Sequence, residues 1–512
     1  MHYDLSNPGQ LAAALRPDLV VMGGAMLLLL FAVWKQESDA HQRNVGIGAI
    51  IVCLVGMATI FLMIGGHATA GPGIIAVDNF RWATDVLILL ATVIAIALTM
   101  DYNRREGIVL GEGYVLLLLG TAGMMLLAAA RDLMIVFLGI ELMSISVYVL
   151  AGLNRRSDRA AEAALKYFLL GAFSTGFLLY GIALIYGATG STNLAAIGAQ
   201  ITAANIGGSP MLLVGMALLL VGFGFKVAAV PFHMWTPDVY EGAPTPFTAY
   251  MAAAVKAAAF AAFFRVWMEA FPQAAAAWHA ALWWLAAITM VVGNVIALVQ
   301  KNMKRLLAYS SIAHAGYILV ALVATAYGAT LGASAFLFYL LAYTLATMGA
   351  FGVVIALGQA GERNQDLQDY AGLWSVRPWL AAAMAVFMLA LLGFPIAGGM
   401  GFFAKWYVLQ AALQAPAPQT HLAVLLVLAS VVSAGYYLAV VMVMFMRPRA
   451  AGAPTPLRTP ALTSVVIGAA AVALLVFGIF PDKVVALTSA STPVAMAKQP
   501  HASPPVAAAP RS

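Results

Sequence analysis

The chain has 512 residues, of which 63% are hydrophobic and only 9% charged, with a mean hydropathy of +0.93. A soluble domain carries about a quarter charged residues, so this composition describes a polytopic membrane protein whose spans are helical, since irregular backbone is not tolerated against lipid. The net charge of +6 sits in short loops and orients the chain instead of marking nucleic-acid binding. A single cysteine, Cys53, excludes internal disulfides, thiolate metal sites and iron–sulfur clusters. Residues 1–17 contain Asp4 and Pro8 and lack the basic start of a cleavable signal.

Apolar runs of roughly 20 residues mark helical spans. They fall at 18–34, 45–65, 79–100, 113–130, 132–153, 162–187, 211–240, 246–270, 277–299, 306–327, 330–358, 378–413, 421–446 and 461–480, which makes fourteen. Charge asymmetry supports this parse. The odd-numbered loops carry Lys35, Arg43, Arg104, Arg105, Arg155, Arg156, Arg159, Lys301, Lys304, Arg305, Arg363, Arg377, Arg447, Arg449 and Arg458, whereas the even-numbered loops carry only Arg81 and Arg131. The positive-inside rule then places both termini outside the cytoplasm. The Ala-, Pro- and Ser-rich tail after Pro481 has the composition of a disordered segment.

Two spans are interrupted. Span 7 reads VGFGFKVAAVPFHMW and must break around Pro231, because proline removes a backbone donor and collides with the preceding turn. Span 12 reads LLGFPIAGGMGFFAKWYV and must break between Pro395 and Gly401. An odd separation of five spans forces opposite directions through the membrane. Two broken helices at matching positions predict an inverted repeat with the functional path at the breaks. The fold expected is all-α, with five-helix repeats made of spans 4–8 and 9–13. The corresponding segments are 1–110 (three N-terminal helices), 111–270, 276–446, and 447–512 with the last helix and the tail.

Ionisable residues inside these spans are the candidate site. They are Glu141 in span 5, Lys166 one turn into span 6, Lys226 before the break in span 7, Lys256 in span 8, His314 in span 10 and Lys405 in span 12. An uncompensated central charge costs ~3 kcal/mol on insertion scales, so such residues are retained for partners or a task. Lysine suits proton carriage because it can give up its proton when desolvated, whereas arginine stays charged. Lys166 and Arg265 lie where they could snorkel to the interface, and a lone histidine is commonly a hydrogen-bonded core residue. Glu141 and Lys226 are expected to form a buried pair. A polar line is expected in the order Glu141, Lys226, Lys256, His314, Lys405. His233 and Asp238 are expected to tie the broken helix and its turn together. No nucleotide loop, metal triad or nucleophile–base pair appears in the sequence.

The stretch VPFHMWTPDVYEGAPTP with lysines on either side, GIEL in span 5, NMKRLLAYSSIAHAGY entering span 10 and FPIAGGMGFFAKWYVL in span 12 resemble the antiporter-like subunits of respiratory complex I, the NADH–quinone oxidoreductase. VYEGAPTP and the span-12 lysine most resemble the subunit N branch of that family. The likeness covers about residues 75–445. It implies a proton-translocating subunit, with Glu141, Lys166, Lys226, Lys256, His314 and Lys405 at the family's positions. It further implies no cofactor in this chain, flavin and iron–sulfur clusters in partner subunits, and quinone handled by the complex. Subunits M, L, K, J, A and H are the partners implied, in a bacterial inner membrane with both termini periplasmic. Two other readings compete, a subunit of a multisubunit sodium/proton antiporter and a passive scaffold whose charges only hold helices together.

Overall fold

The computed structural model describes residues 1–34, 38–395, 399–449 and 458–492. Lys35 and the part of the span-12 break at 396–398 lie outside the described residues, as does the chain from 493 onward. Among the described residues thirteen helices are long and apolar enough to cross a membrane. In chain order the membrane helices begin with α1 (Arg16–Trp34), α2 (Asp39–Gly65), α3 (Asn79–Glu106), α4 (Glu112–Ala129), α5 (Leu133–Ala151), α6 (Asp158–Thr189) and α7 (Pro210–Val227). They continue with α8 (Thr245–Ala270), α9 (Ala275–Ala297), α10 (Met303–Ala326) and α11 (Gly332–Leu357). The span-12 region is two half-helices, α12 (Pro378–Leu392) and α13 (Met400–Gln414), followed by α14 (Thr420–Met446) and α15 (Ala461–Ile479).

The composition after Pro481 misleads for its first part. Residues Pro481–Ala490 form a further helix, α16, with proline at its start and Asp482 in its first turn, both helix-initiating choices. Its Thr488 pairs with Ser334 of α11 at 2.8 Å, so the segment is docked.

Helices α8, α10 and α11 are apolar on every face and almost wholly enclosed, while α1, α2, α14 and α15 leave most of their surface outward. Close backbone approach within pairs of helices needs small residues, since lipid supplies no hydrophobic drive between them. Between α4 and α5, a Cβ on Gly123 would stand 2.6 Å from the backbone nitrogen of Met143, and one on Gly139 would stand 2.9 Å from the Cα of Leu127. The α9–α10 pair repeats the device, with Gly293 against Ala313 and Gly316 against Met290, both at 2.6 Å. These are the first two helices of each expected five-helix unit.

Both expected breaks exist. Helix α7 stops at Val227, with Ala228 in the left-handed region and a cis bond between Val230 and Pro231, before a short helix Thr236–Gly242. Helix α12 stops at Leu392 and Gly393 turns the chain at φ 76°, two residues ahead of Pro395. Helix α8 contains a π-turn at Met251–Val255 that ends at Lys256, and such turns recur at functional positions.

Candidate functional site

Each break sets a lysine against the carbonyl end of a half-helix, where unpaired carbonyls and the helix dipole favour positive charge. Lys226 is in the last turn of α7, buried at 4% exposure. Its Nζ donates to Ser144 Oγ at 2.7 Å and Tyr148 OH at 3.3 Å, both on α5. The Tyr148 ring centroid is 5.4 Å from the same nitrogen, a cation–π distance. Lys405, in the second turn of α13, donates to the Leu392 carbonyl that ends α12 at 2.8 Å and to Ser430 Oγ at 3.1 Å. It lies 4.6 Å from the Tyr317 ring.

The expected direct pair of Glu141 with Lys226 is not formed. Glu141 is half-buried and makes no ion pair among the described residues. The reason is local: Ser144, three residues on and therefore on the same face of α5, already meets the ammonium. Tyr148 completes the stripe one further turn away.

Lys256 and His314 are joined through α10. Lys256 Nζ donates to the Ser311 carbonyl at 2.7 Å and also contacts Ser311 Oγ, which accepts from Tyr343 OH at 2.8 Å. His314 is one turn beyond Ser311. Its Nδ1 pairs with Tyr339 OH at 2.7 Å and its Nε2 with Tyr437 OH at 3.1 Å. One turn further, Tyr317 stands under Lys405 and accepts from Asn294 Nδ2 at 2.9 Å. His314 and Lys405 line one small cavity with Tyr339, Tyr343 and Gly401, with room for roughly one water molecule. Lys226, Lys256 and Lys405 thus have hydroxyl, carbonyl and ring partners, and none of them makes an ion pair among the described residues. A hydroxyl accepts from an ammonium and donates to a neutral amine, so such partners satisfy both protonation states.

Lys166 stands apart from this line. Its side chain is 43% exposed and pairs with Glu162 at 2.7 Å and Asp238 at 2.9 Å. Asp238 also accepts from Arg305 at 2.8 Å, and Arg305 reaches Glu241 at 3.0 Å. Asp238 therefore ties the short helix after the α7 break to α6 and α10. His233 stays within the break: its ring hydrogen-bonds the backbone of Pro231, while its Nδ1 is buried without a partner among the described residues.

Two charged belts flank the line, and neither was visible as a unit in the sequence. On the odd-loop side Glu362 accepts from Tyr102 of α3, the backbone nitrogen of Thr245 at the start of α8 (3.1 Å) and Lys304 of α10 (3.1 Å). Burial pushes its carboxyl up, but the Lys304 ammonium and these hydrogen bonds outweigh it and hold the group below the usual carboxylate range. On the even-loop side Arg265, expected to snorkel, is instead enclosed and grips Asp78 with both terminal nitrogens at 2.8 and 2.9 Å, while Glu269 bridges it to Arg131. Asp78, just ahead of α3, is pushed up by burial and pulled below its ordinary value by Arg265. Asp85 lies beside Arg81 and Asp18.

Comparison with known proteins decides the family. The family described as "NADH:quinone oxidoreductase/Mrp antiporter, TM" matches residues 130–433. The NADH-quinone oxidoreductase subunit N of Gemmatimonas aurantiaca is 56% identical over 498 residues, covering 96% of this chain and 95% of the relative. The chain belongs to the subunit N family of NADH-quinone oxidoreductases. A second subunit N relative, from Trichlorobacter lovleyi, is 50% identical over 84% of this chain and 86% of its own. A chain of respiratory complex I from Thermus thermophilus superposes with a TM-score of 0.78 at 38% identity, covering 93% of this chain and 100% of that one. A chain of the Mrp complex from Dietzia sp. shares the fold alone, at a TM-score of 0.80 and 21% identity. Glu141, Lys166, Lys226, Lys256, His314 and Lys405 all fall inside the matched segment.

Proposed function

We propose that this chain moves protons across a bacterial inner membrane as the subunit N of an NADH–quinone oxidoreductase, driven by electron transfer in partner subunits. The single observation that carries the reading is the buried line of Lys226, Lys256, His314 and Lys405, whose two ends lie at helix breaks and whose members are met by hydroxyls and carbonyls. A scaffold would pair such charges with carboxylates, as the two flanking belts do. The sodium/proton antiporter reading rests on a fold shared at 21% identity, against 56% for subunit N.

The line divides into segments. Lys226 with Ser144 and Tyr148 forms the first, and Glu141, one turn away on α5, is a proton donor to it through water. Aromatic rings cross the gap to Lys256: Tyr167 stacks on Trp235 at 4.3 Å, and Trp235 meets Tyr240 edge-on at 6.1 Å. Lys256, Ser311, His314 and Lys405 then follow along α10. Lys166 serves the odd-loop rim through Asp238. The architecture we infer has fourteen spans, α12 and α13 counting as one, with α4–α8 and the five spans from α9 related by inversion; the matching glycine pairs support it. Partners are the complex's other membrane subunits, M, L, K, J, A and H, with flavin, iron–sulfur clusters and quinone chemistry outside this chain.

The test is Lys226→Ala in the whole complex. Proton pumping is expected to be lost while the complex assembles in normal amount; failure to assemble, or assembly with normal pumping, overturns the reading. Orientation is tested separately. With both termini periplasmic, a cysteine replacing Arg155 resists a membrane-impermeant maleimide in intact cells and reacts after permeabilisation. Reaction in intact cells reverses the topology.

A further inference from the structure

Asp18 on α1 and Arg81 and Asp85 on α3 form a buried group that the lysine line does not use, and all three precede the matched segment 130–433. The Arg81 side chain is wholly enclosed and lies 4.5 Å over the Trp82 ring. Its Nη1 donates to the carbonyls of Ala76 at 2.9 Å and Ala14 at 3.3 Å, so the guanidinium is pinned in place. Its Nη2 meets Asp18 Oδ2, and its Nε meets Asp85 Oδ2 at 3.3 Å. Asp85 is fully buried and Asp18 is 4% exposed. The second oxygen of each carboxyl, Asp18 Oδ1 and Asp85 Oδ1, is buried without a hydrogen-bond partner among the described residues.

The charges around the group do not balance. A guanidinium keeps its proton, so one Arg81 against two carboxylates leaves one negative charge. Among the described residues the neighbouring charged groups do not supply the missing cation. Arg265 is taken up by Asp78 and Glu269, and Arg131 by Glu269. Four acids (Asp18, Asp78, Asp85, Glu269) face three arginines (Arg81, Arg131, Arg265). An uncompensated buried charge is strongly disfavoured, and so is a buried carboxylate oxygen with no donor.

We propose that Asp18 and Asp85 share one exchangeable proton, making the pair a proton-binding site on the even-loop side, separate from the lysine line. One carboxyl is then a neutral acid, which removes the uncompensated charge and leaves no second buried carboxylate without a donor. The other carboxylate balances Arg81, and the net charge of the triad is zero. Because the site is defined by occupancy and not by transport, its test is independent of whether the chain pumps protons.

The experiment is infrared spectroscopy of the full chain in lipid nanodiscs, with carbon-13 in the aspartate side-chain carboxyls. Wild type is expected to show a protonated-carboxyl band at neutral pH that shifts on exchange into heavy water. Asp85→Asn and Asp18→Asn should each abolish it, because the single remaining acid is then needed by Arg81. Glu141→Gln should leave it unchanged. Each asparagine variant keeps the shape of the neutral acid and should melt within a few degrees of wild type, whereas the double variant strips Arg81 of its counter-charge and should melt far lower. A missing band in wild type, or a band that survives both single variants, overturns the proposal. A band that appears only when sodium is replaced by choline also overturns it, and assigns the site to a sodium ion.

Discussion

Lys256→Arg in the whole complex is expected to lower proton pumping and the NADH oxidation coupled to it by tenfold or more, with assembly retained. Lys256 is 2% exposed, and its Nζ is held by the carbonyl and hydroxyl of Ser311. Arginine conserves the charge but cannot release it, and its planar fork does not fit where one compact ammonium meets both Ser311 oxygens. Overpacking of a fully enclosed helix is the competing explanation, at ~1–3 kcal/mol. Lys256→Gln separates the two. Glutamine is smaller than arginine and neutral, so a purely steric fault predicts recovery in this variant, whereas the loss of a proton carrier predicts the same failure. Normal pumping together with normal NADH oxidation in Lys256→Arg removes this lysine from the path.

The lysines were legible in the sequence because a charge inside an apolar run has few explanations. The breaks were legible for a similar reason, since Pro231 and Pro395 each remove a backbone donor and collide with the preceding turn. The partners of the lysines were harder to see. A serine or tyrosine within an apolar helix reads as ordinary packing, and only the spacing reveals it: Ser144 and Tyr148 on α5, and Ser311, His314 and Tyr317 on α10, follow the helical period of one face. That spacing also explains why Glu141 was assigned a direct contact that Ser144 makes instead. The belts were missed for a different reason. Asp78, Arg131 and Glu269 sit at span ends, where a charge is unremarkable, and Arg265 looks like a residue able to reach the interface. Their pairing joins residues up to 187 positions apart, which no local pattern records.

The belts also separate structural charge from working charge, and Glu362 shows the difference most clearly. It is held in the left-handed region at φ 55°, an uncommon conformation for a non-glycine residue, and it receives donors from α3, α8 and α10 at once. Removing one partner of a buried pair costs ~3–5 kcal/mol, because the other charge is left without compensation. Glu362→Gln is therefore expected to lower the melting temperature of the full chain in nanodiscs markedly at neutral pH. The pH dependence follows from the sign of the shift. The folded carboxyl titrates below its unfolded value of about 4.3. Its contribution is thus fully present above that value and is lost as pH falls through the lower folded value. Wild type should lose this increment on acidification below about pH 4, whereas Glu362→Gln should lack this part of the decline. The double variant Glu362→Gln, Lys304→Met removes both charges and should recover part of the lost stability, since an apolar replacement leaves no buried ammonium stranded. Equal melting of Glu362→Gln and wild type at neutral pH would show that the odd-loop belt does not hold α3, α8 and α10 together.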